Sequence, residues 1–139
     1  MPLQIIRQDI TKMKVDSIVN TTNMEMIGYS GVDKAVHTIT GPETDTECAT
    51  LVSLGLGQAK ITGGYGLPCK YVIQPSGPVW QGGLVGESAI LRSCYIESLK
   101  LAKAKSLEDY MKERDKSFGN RPCSAAVYNT KVLNKYDGF

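Results

Sequence analysis

Hydrophobic and polar positions change period several times along the chain, and each change predicts an element. Leu3-Gln4-Ile5-Ile6-Arg7 is a short β-prone run closed by Gln8-Asp9-Ile10-Thr11, and Val15-Asp16-Ser17-Ile18-Val19-Asn20 is a second, enriched in β-branched residues. Both are read as strands. After a loop at residues 28–31, Val32, Ala35, Val36 and Ile39 repeat with the spacing of one helical face, and Gly41-Pro42 should stop that helix. A second helix is predicted over residues 43–51, strands over 58–62 and 70–74, and a turn over 63–68. Ala89, Ile90, Ser93, Cys94, Ile96, Leu99, Leu101 and Ala102 then mark a long amphipathic helix from Gly86 to Lys105, with Glu97, Lys100 and Lys103 outward. Ser106-Leu107-Glu108-Asp109 has the form of a new helix N-cap with an acidic first turn, and Gly119-Asn120-Arg121-Pro122 should end that element. Ala125-Ala126-Val127-Tyr128 fits a strand or a frayed helix equally. Short strands alternating with helices predict an α/β sandwich.

Composition narrows the function classes. A chain of 139 residues suits one domain with a core that needs no metal or disulfide staples. The 16 Lys and Arg against 14 Asp and Glu are interspersed, which argues against nucleic-acid binding as the main activity. The N-terminus lacks a basic region followed by a sustained apolar one, so a cytoplasmic location is expected, with no membrane partner. Cys48, Cys69, Cys94 and Cys123 form no CxxC pair and there is a single histidine, so no zinc signature exists and free structural thiols are expected.

The chemically informative stretch is Ile18-Val19-Asn20-Thr21-Thr22-Asn23, followed by Gly28-Tyr29-Ser30-Gly31-Val32-Asp33-Lys34-Ala35-Val36-His37. A strand running into an Asn-rich loop and then a glycine-containing helix start suits an anionic ligand, because unpaired amides and the helix dipole both favour negative charge. Such ligands gather at the carboxyl ends of strands in open α/β sheets. Asp33 then needs another role, and a sugar hydroxyl or an attacking water would suit it. Structural alternatives stand beside each residue: Asp9 as a turn or cap residue, Asn23 as a loop hydrogen-bonder, Asp33 as a first-turn anion, His37 as a packing or surface residue with a catalytic base as the lesser alternative, and Trp80 as a core or edge residue.

These residues resemble the macrodomain family, most closely its bacterial MacroD-type ADP-ribosyl hydrolases and O-acetyl-ADP-ribose deacetylases. The resemblance runs from Leu3 to about Ala104 and includes Val15 to Asn23, Gly31-Val32-Asp33, Gly41-Pro42-Glu43, Gly57 to Thr62, Tyr71-Val72-Ile73 and Gly77-Pro78-Val79-Trp80. It implies a three-layer α/β/α sandwich with a mixed sheet that binds ADP-ribose or a derivative. It further implies that Asp9 accepts from the adenine amine beside the Ile10 amide, and that the Gly31-Val32 backbone approaches the diphosphate. By the same carry-over, Thr22 and Asn23 line the distal ribose, and Asn23 and Asp33 are the catalytic pair, Asp33 acting on the attacking water. No metal or redox cofactor is called for.

The sequence departs from the family at the site. Tyr29 and Ser30 interrupt a glycine run, Thr21 and Thr22 replace small residues, and Gln74-Pro75 stands where a strand would end in a His-Thr type pair. After Ala104 the family continues into a strand with a Ser-Thr-Gly loop, another helix and a last strand that this sequence lacks. A truncated macrodomain over residues 1–105 with a divergent tail over 106–139 is therefore expected, with ester hydrolysis weak. The competing expectation is a non-catalytic module whose incomplete sheet associates with a partner or with itself.

Overall fold

The computed structural model describes residues 3–28, 31–51 and 53–116. A 3-10 turn, Ile10–Lys12, precedes β1 (Ser17–Val19); next come α1 (Gly31–Thr40), α2 (Pro42–Thr50), β2 (Ala59–Gly63), β3 (Tyr71–Pro75) and α3 (Glu87–Lys116). The sheet has the order β1-β3-β2. Its mixed character arises from the connections: β2 reaches β3 through a short turn and lies antiparallel, whereas β1 needs the α1-α2-β2 crossover and lies parallel. The register pairs Ile18 with Val72 and Ile61 with Ile73. Thr22 and Ser76 form one further parallel bridge beyond the strand ends.

Alternation across the strands divides the core between two faces. Ile18 and Val72 meet Val36 of α1, together with Val15, Leu67 and Cys69. The opposite face carries α3, fastened where Ser93 Oγ donates to the Gly57 carbonyl at 2.8 Å and where Tyr71 Oη donates to Asp109 at 3.0 Å. Burial and the Asp109 carboxylate push the Tyr71 hydroxyl up to about 12. The three layers expected from the sequence are thus present, with α1 and α2 on one side and α3 on the other. Among the described residues no helix is long and apolar enough to cross a membrane.

Several expectations need correction. Leu3 to Arg7 forms no strand, and Leu3, Ile5 and Ile6 are 72%, 93% and 53% exposed. A β-prone run becomes a strand only where a neighbouring edge offers it a ladder, and no described segment does so. Ser106 is no N-cap, because α3 passes through it unbroken. No Gly or Pro stands there to stop the helix, and the acidic residues act laterally: Glu108 pairs with Lys105 and Lys112, and Asp109 with Tyr71. Lys105 and Ser106 are consecutive positions within α3. Trp80 is 74% exposed, so of the core and edge positions expected for it the core one does not hold. Tyr29, Ser30, Cys123 and the Ala125 to Tyr128 stretch lie outside the described residues.

The first helix, α1, also turns a different face inward from the one its apolar spacing marks. Val32 and Ile39 are 42% and 43% exposed, and the buried positions are Asp33, Val36, His37 and Thr40. Val36 alone among those four is aliphatic.

The core assignment carries a stability prediction. Ile18→Ala should cost about 2–5 kcal/mol, the usual range for emptying a packed aliphatic site, because Ile18 is fully enclosed. Leu3→Ala should leave the urea midpoint unchanged. A Leu3→Ala loss matching that of Ile18→Ala would show that the N-terminal run is packed after all.

Candidate functional site

The carboxyl ends of β1 and β3 and the start of α1 bring a set of buried polar side chains together. Asp33, in the first turn of α1, is 6% exposed. Its Oδ1 accepts from Asn20 Nδ2 at 2.6 Å, and the same amide donates to Gln74 Oε1 at 2.8 Å. Gln74 Nε2 donates to Thr62 Oγ1 at 3.4 Å, and Thr62 donates on to the Val72 carbonyl. Among the described residues the second carboxylate oxygen of Asp33 receives only a long 3.5 Å bond from Thr22 Oγ1.

His37 lies one helical turn after Asp33 and is buried between two carboxylates. Its Nδ1 is 2.7 Å from Asp45 Oδ1 of α2, and its Nε2 is 3.4 Å from Asp33 Oδ1. The latter contact is not aligned for a hydrogen bond, so Nε2 has no hydrogen-bond partner among the described residues. Gly28 closes on this ring: a Cβ there would stand 2.7 Å from His37 Cβ, so no side chain fits. Gly31 starts α1 with φ +58 and open space where a Cβ would point. Val32 beside it is exposed, so the first backbone of α1 is approachable from outside.

The other residues singled out from the sequence make no hydrogen bond to Asp33 among the described residues. Asn23 Oδ1 accepts from the amides of Glu25 and Ile27 at 3.1 and 3.4 Å, holding its own loop, and no hydrogen bond joins it to Asp33 among the described residues. Asp9 caps the 3-10 turn, where Oδ1 accepts from the Thr11 amide at 3.0 Å and the Thr11 hydroxyl at 2.7 Å. The Thr11 hydroxyl, then its amide and more weakly Lys12, hold the Asp9 carboxyl below its ordinary value. Ile10 packs against the apolar core behind it. Besides Gly31 and Val32, its neighbours in α1, Thr22 is the predicted ligand residue with a hydrogen bond to Asp33 among the described residues.

Sequence pattern does not single out Asn20, Gln74, Thr62 or Asp45 as site residues, and it reads His37 as a packing or surface residue, with a catalytic base as the lesser alternative. A usable signal exists for one of them: Asp33 and His37 are spaced i,i+4, and a buried carboxylate needs a partner on that side. Among the described residues no group of three His, Cys, Asp or Glu is placed to hold a metal ion. Two surface depressions lie elsewhere, one lined by Asp16, Lys70, Tyr71, Lys105 and Asp109, the other by Glu43, Glu47, Thr50 and Tyr65.

Comparison with known proteins gives a consistent answer. The family model described as Macro domain matches residues 19–112. A macro domain-containing protein of Methanosarcina mazei is 52% identical over 101 residues, covering 73% of this chain and 54% of that protein. The bovine (Bos taurus) ADP-ribose glycohydrolase MACROD1 is 47% identical over 100 residues, covering 71% of this chain and 31% of that one. Among solved structures, the Oceanobacillus iheyensis macrodomain with ADP superposes with TM-score 0.67 at 34% identity, over 71% of this chain and 56% of that chain. The Trypanosoma brucei macrodomain in complex with ADP-ribose gives TM-score 0.63 at 38% identity, over 69% and 39%. The matched region thus spans little more than half of the first of these relatives and less than a third of the bovine protein.

The Asp9 geometry predicts a measurable titration. Thr11→Val removes the hydroxyl that depresses Asp9, so its titration midpoint should rise toward the ordinary carboxyl value in carboxylate carbon NMR. A depressed folded value contributes stability that is present above the unfolded value and lost as pH falls through the folded one. The variant should therefore lose the part of that contribution which the hydroxyl supplies, at neutral pH as well as in mild acid, and its stability should fall less steeply on acidification. An unmoved Asp9 midpoint would remove the hydroxyl as the cause.

Proposed function

The chain belongs to the macro domain family, and from that premise we propose that it binds ADP-ribose or a derivative along the carboxyl ends of β1 and β3. The observation that carries the reading is the buried Asp33, held by Asn20 on one oxygen while the other is only weakly engaged. A carboxylate in that state can accept from a sugar hydroxyl or orient a water. The open backbone at Gly31 and Val32, at the positive end of α1, suits the diphosphate. Relatives of this chain were solved with ADP and with ADP-ribose, which supports the same ligand here.

In this reading Asp9 takes the adenine amine through Oδ2, because Oδ1 already serves the turn. Ile10 backs the adenine, and Thr22 and Asn23 line the ribose near Asp33. Hydrolysis of ADP-ribosyl esters or of O-acetyl-ADP-ribose would use Asp33 to position water, with Asn23 holding a ribose hydroxyl through its amide nitrogen. Positioning dominates such chemistry, since a displacement of about 1 Å can cost on the order of a hundredfold in rate.

Calorimetric titration with ADP-ribose tests the proposal. Binding in the micromolar range or weaker is expected, with Asp33→Asn weakening it about tenfold, equivalent to about 1.4 kcal/mol. Asp9→Ala should weaken ADP-ribose and leave ribose-5-phosphate unchanged. Equal loss for both ligands would make Asp9 structural only. Failure of wild-type protein to bind, together with concentration-dependent self-association, would favour the interaction-module reading instead.

A further inference from the structure

The ring of His37 is confined on several sides, which makes its hydrogen placement a structural question with a definite answer. Gly28 lies so close that a Cβ added there would meet His37 Cβ and Cγ at 2.7 and 2.8 Å, and α1 holds the main chain of His37. Of its two nitrogens, Nδ1 lies 2.7 Å from Asp45 Oδ1, whereas Nε2 lies 3.4 Å from Asp33 Oδ1 and off the hydrogen-bond axis. A carboxylate only accepts, so the short contact requires a hydrogen on Nδ1. In the neutral ring Nε2 is then bare.

We propose that Asp45 is a positioning residue for this site: by fixing the hydrogen on His37 Nδ1, it makes Nε2 an acceptor beside Asp33. The consequence is a set of two buried acceptors, the Asp33 carboxylate and His37 Nε2, 3.4 Å apart. Such a set favours a group that brings hydrogen-bond donors, a hydroxyl or a water, and disfavours one that brings only acceptors. The other tautomer would place a donor at Nε2, 3.4 Å from Asp33 Oδ1, and so remove one acceptor from this set. Only this functional consequence rests on the ADP-ribose reading; the control of the ring by Asp45 does not.

Asp45 is well suited to a test, because its side chain is 67% exposed and its removal opens no core. The chain has a single histidine, so the ring nitrogens of labelled full-length protein give one unambiguous set of NMR signals. At a pH where the ring is neutral, wild-type protein should show hydrogen on Nδ1 and none on Nε2. Asp45→Ala should shift the tautomer ratio at least tenfold toward Nε2–H, while Asp45→Glu, whose carboxylate still only accepts, should keep the wild-type tautomer. ADP-ribose affinity should track the tautomer, falling at least fivefold in Asp45→Ala and staying within twofold in Asp45→Glu.

Hydrogen on Nε2 in the wild-type spectrum overturns the assignment without any variant, and so does an unchanged tautomer in Asp45→Ala. A switched tautomer with unchanged ADP-ribose affinity removes the positioning role. If wild-type protein binds no ADP-ribose, the proposed ligand fails, while the spectra still decide whether Asp45 governs the ring.

Discussion

Burial of one carboxylate governs the arrangement around it. Asp33 lies under the sheet face at 6% exposure, and removing a charge from water costs several kcal/mol unless hydrogen bonds replace the lost solvation. The replacement runs across all three strands: Asn20 just beyond β1, Gln74 in β3 and Thr62 in β2 form one connected row. Each member needs the next. The row also constrains register, because Asn20 stands opposite Gln74 one step past the Val19 and Ile73 pair. A slip of one residue would send these side chains to the α3 face and leave Asp33 unpartnered.

The same constraint explains which parts of the fold are legible in the sequence. Strands at Ser17–Val19, Ala59–Gly63 and Tyr71–Pro75, and the starts and stops of α1 and α2, come from local pattern and from Gly41-Pro42. These signals are local, so a single sequence carries them. The inward face of α1 is different. Hydrophobic spacing points to Val32 and Ile39, yet Asp33 and His37 are the buried residues, because polar partners from the end of β1 and from α2 offset the loss of water. Asn20 lies 13 residues before Asp33, and Asp45 lies 8 after His37, separations at which no periodicity links them.

Context also decides the two ends of the described region. Leu3 to Arg7 has strand composition, but composition supplies no neighbouring edge, and the run stays exposed and outside the sheet. Ser106 to Asp109 has cap composition, but a cap needs the preceding helix to have ended, and nothing between Glu87 and Lys105 ends it. In both places the local reading fails because the decisive partner is elsewhere: an absent ladder in one case, an intact preceding helix in the other.

Capping and ligand binding are often treated as rival explanations for Asp and Asn residues, and the geometry here separates them by atom. Asp9 uses Oδ1 for the Thr11 bonds, leaving Oδ2 with Lys12 at 3.9 Å. Asn23 uses Oδ1 for its loop amides, a job that does not engage its amide nitrogen. Asp33 uses Oδ1 for Asn20 and keeps Oδ2 in a weak contact. In each side chain one polar atom fixes the rotamer while the other retains hydrogen-bonding capacity. A side chain already ordered by its own protein loses less freedom when a ligand arrives, so the holding contacts reduce the entropic cost of binding. The cap at Asp9 and the loop bonds at Asn23 are therefore compatible with a ligand role, and they lower the ordering that such a role would demand.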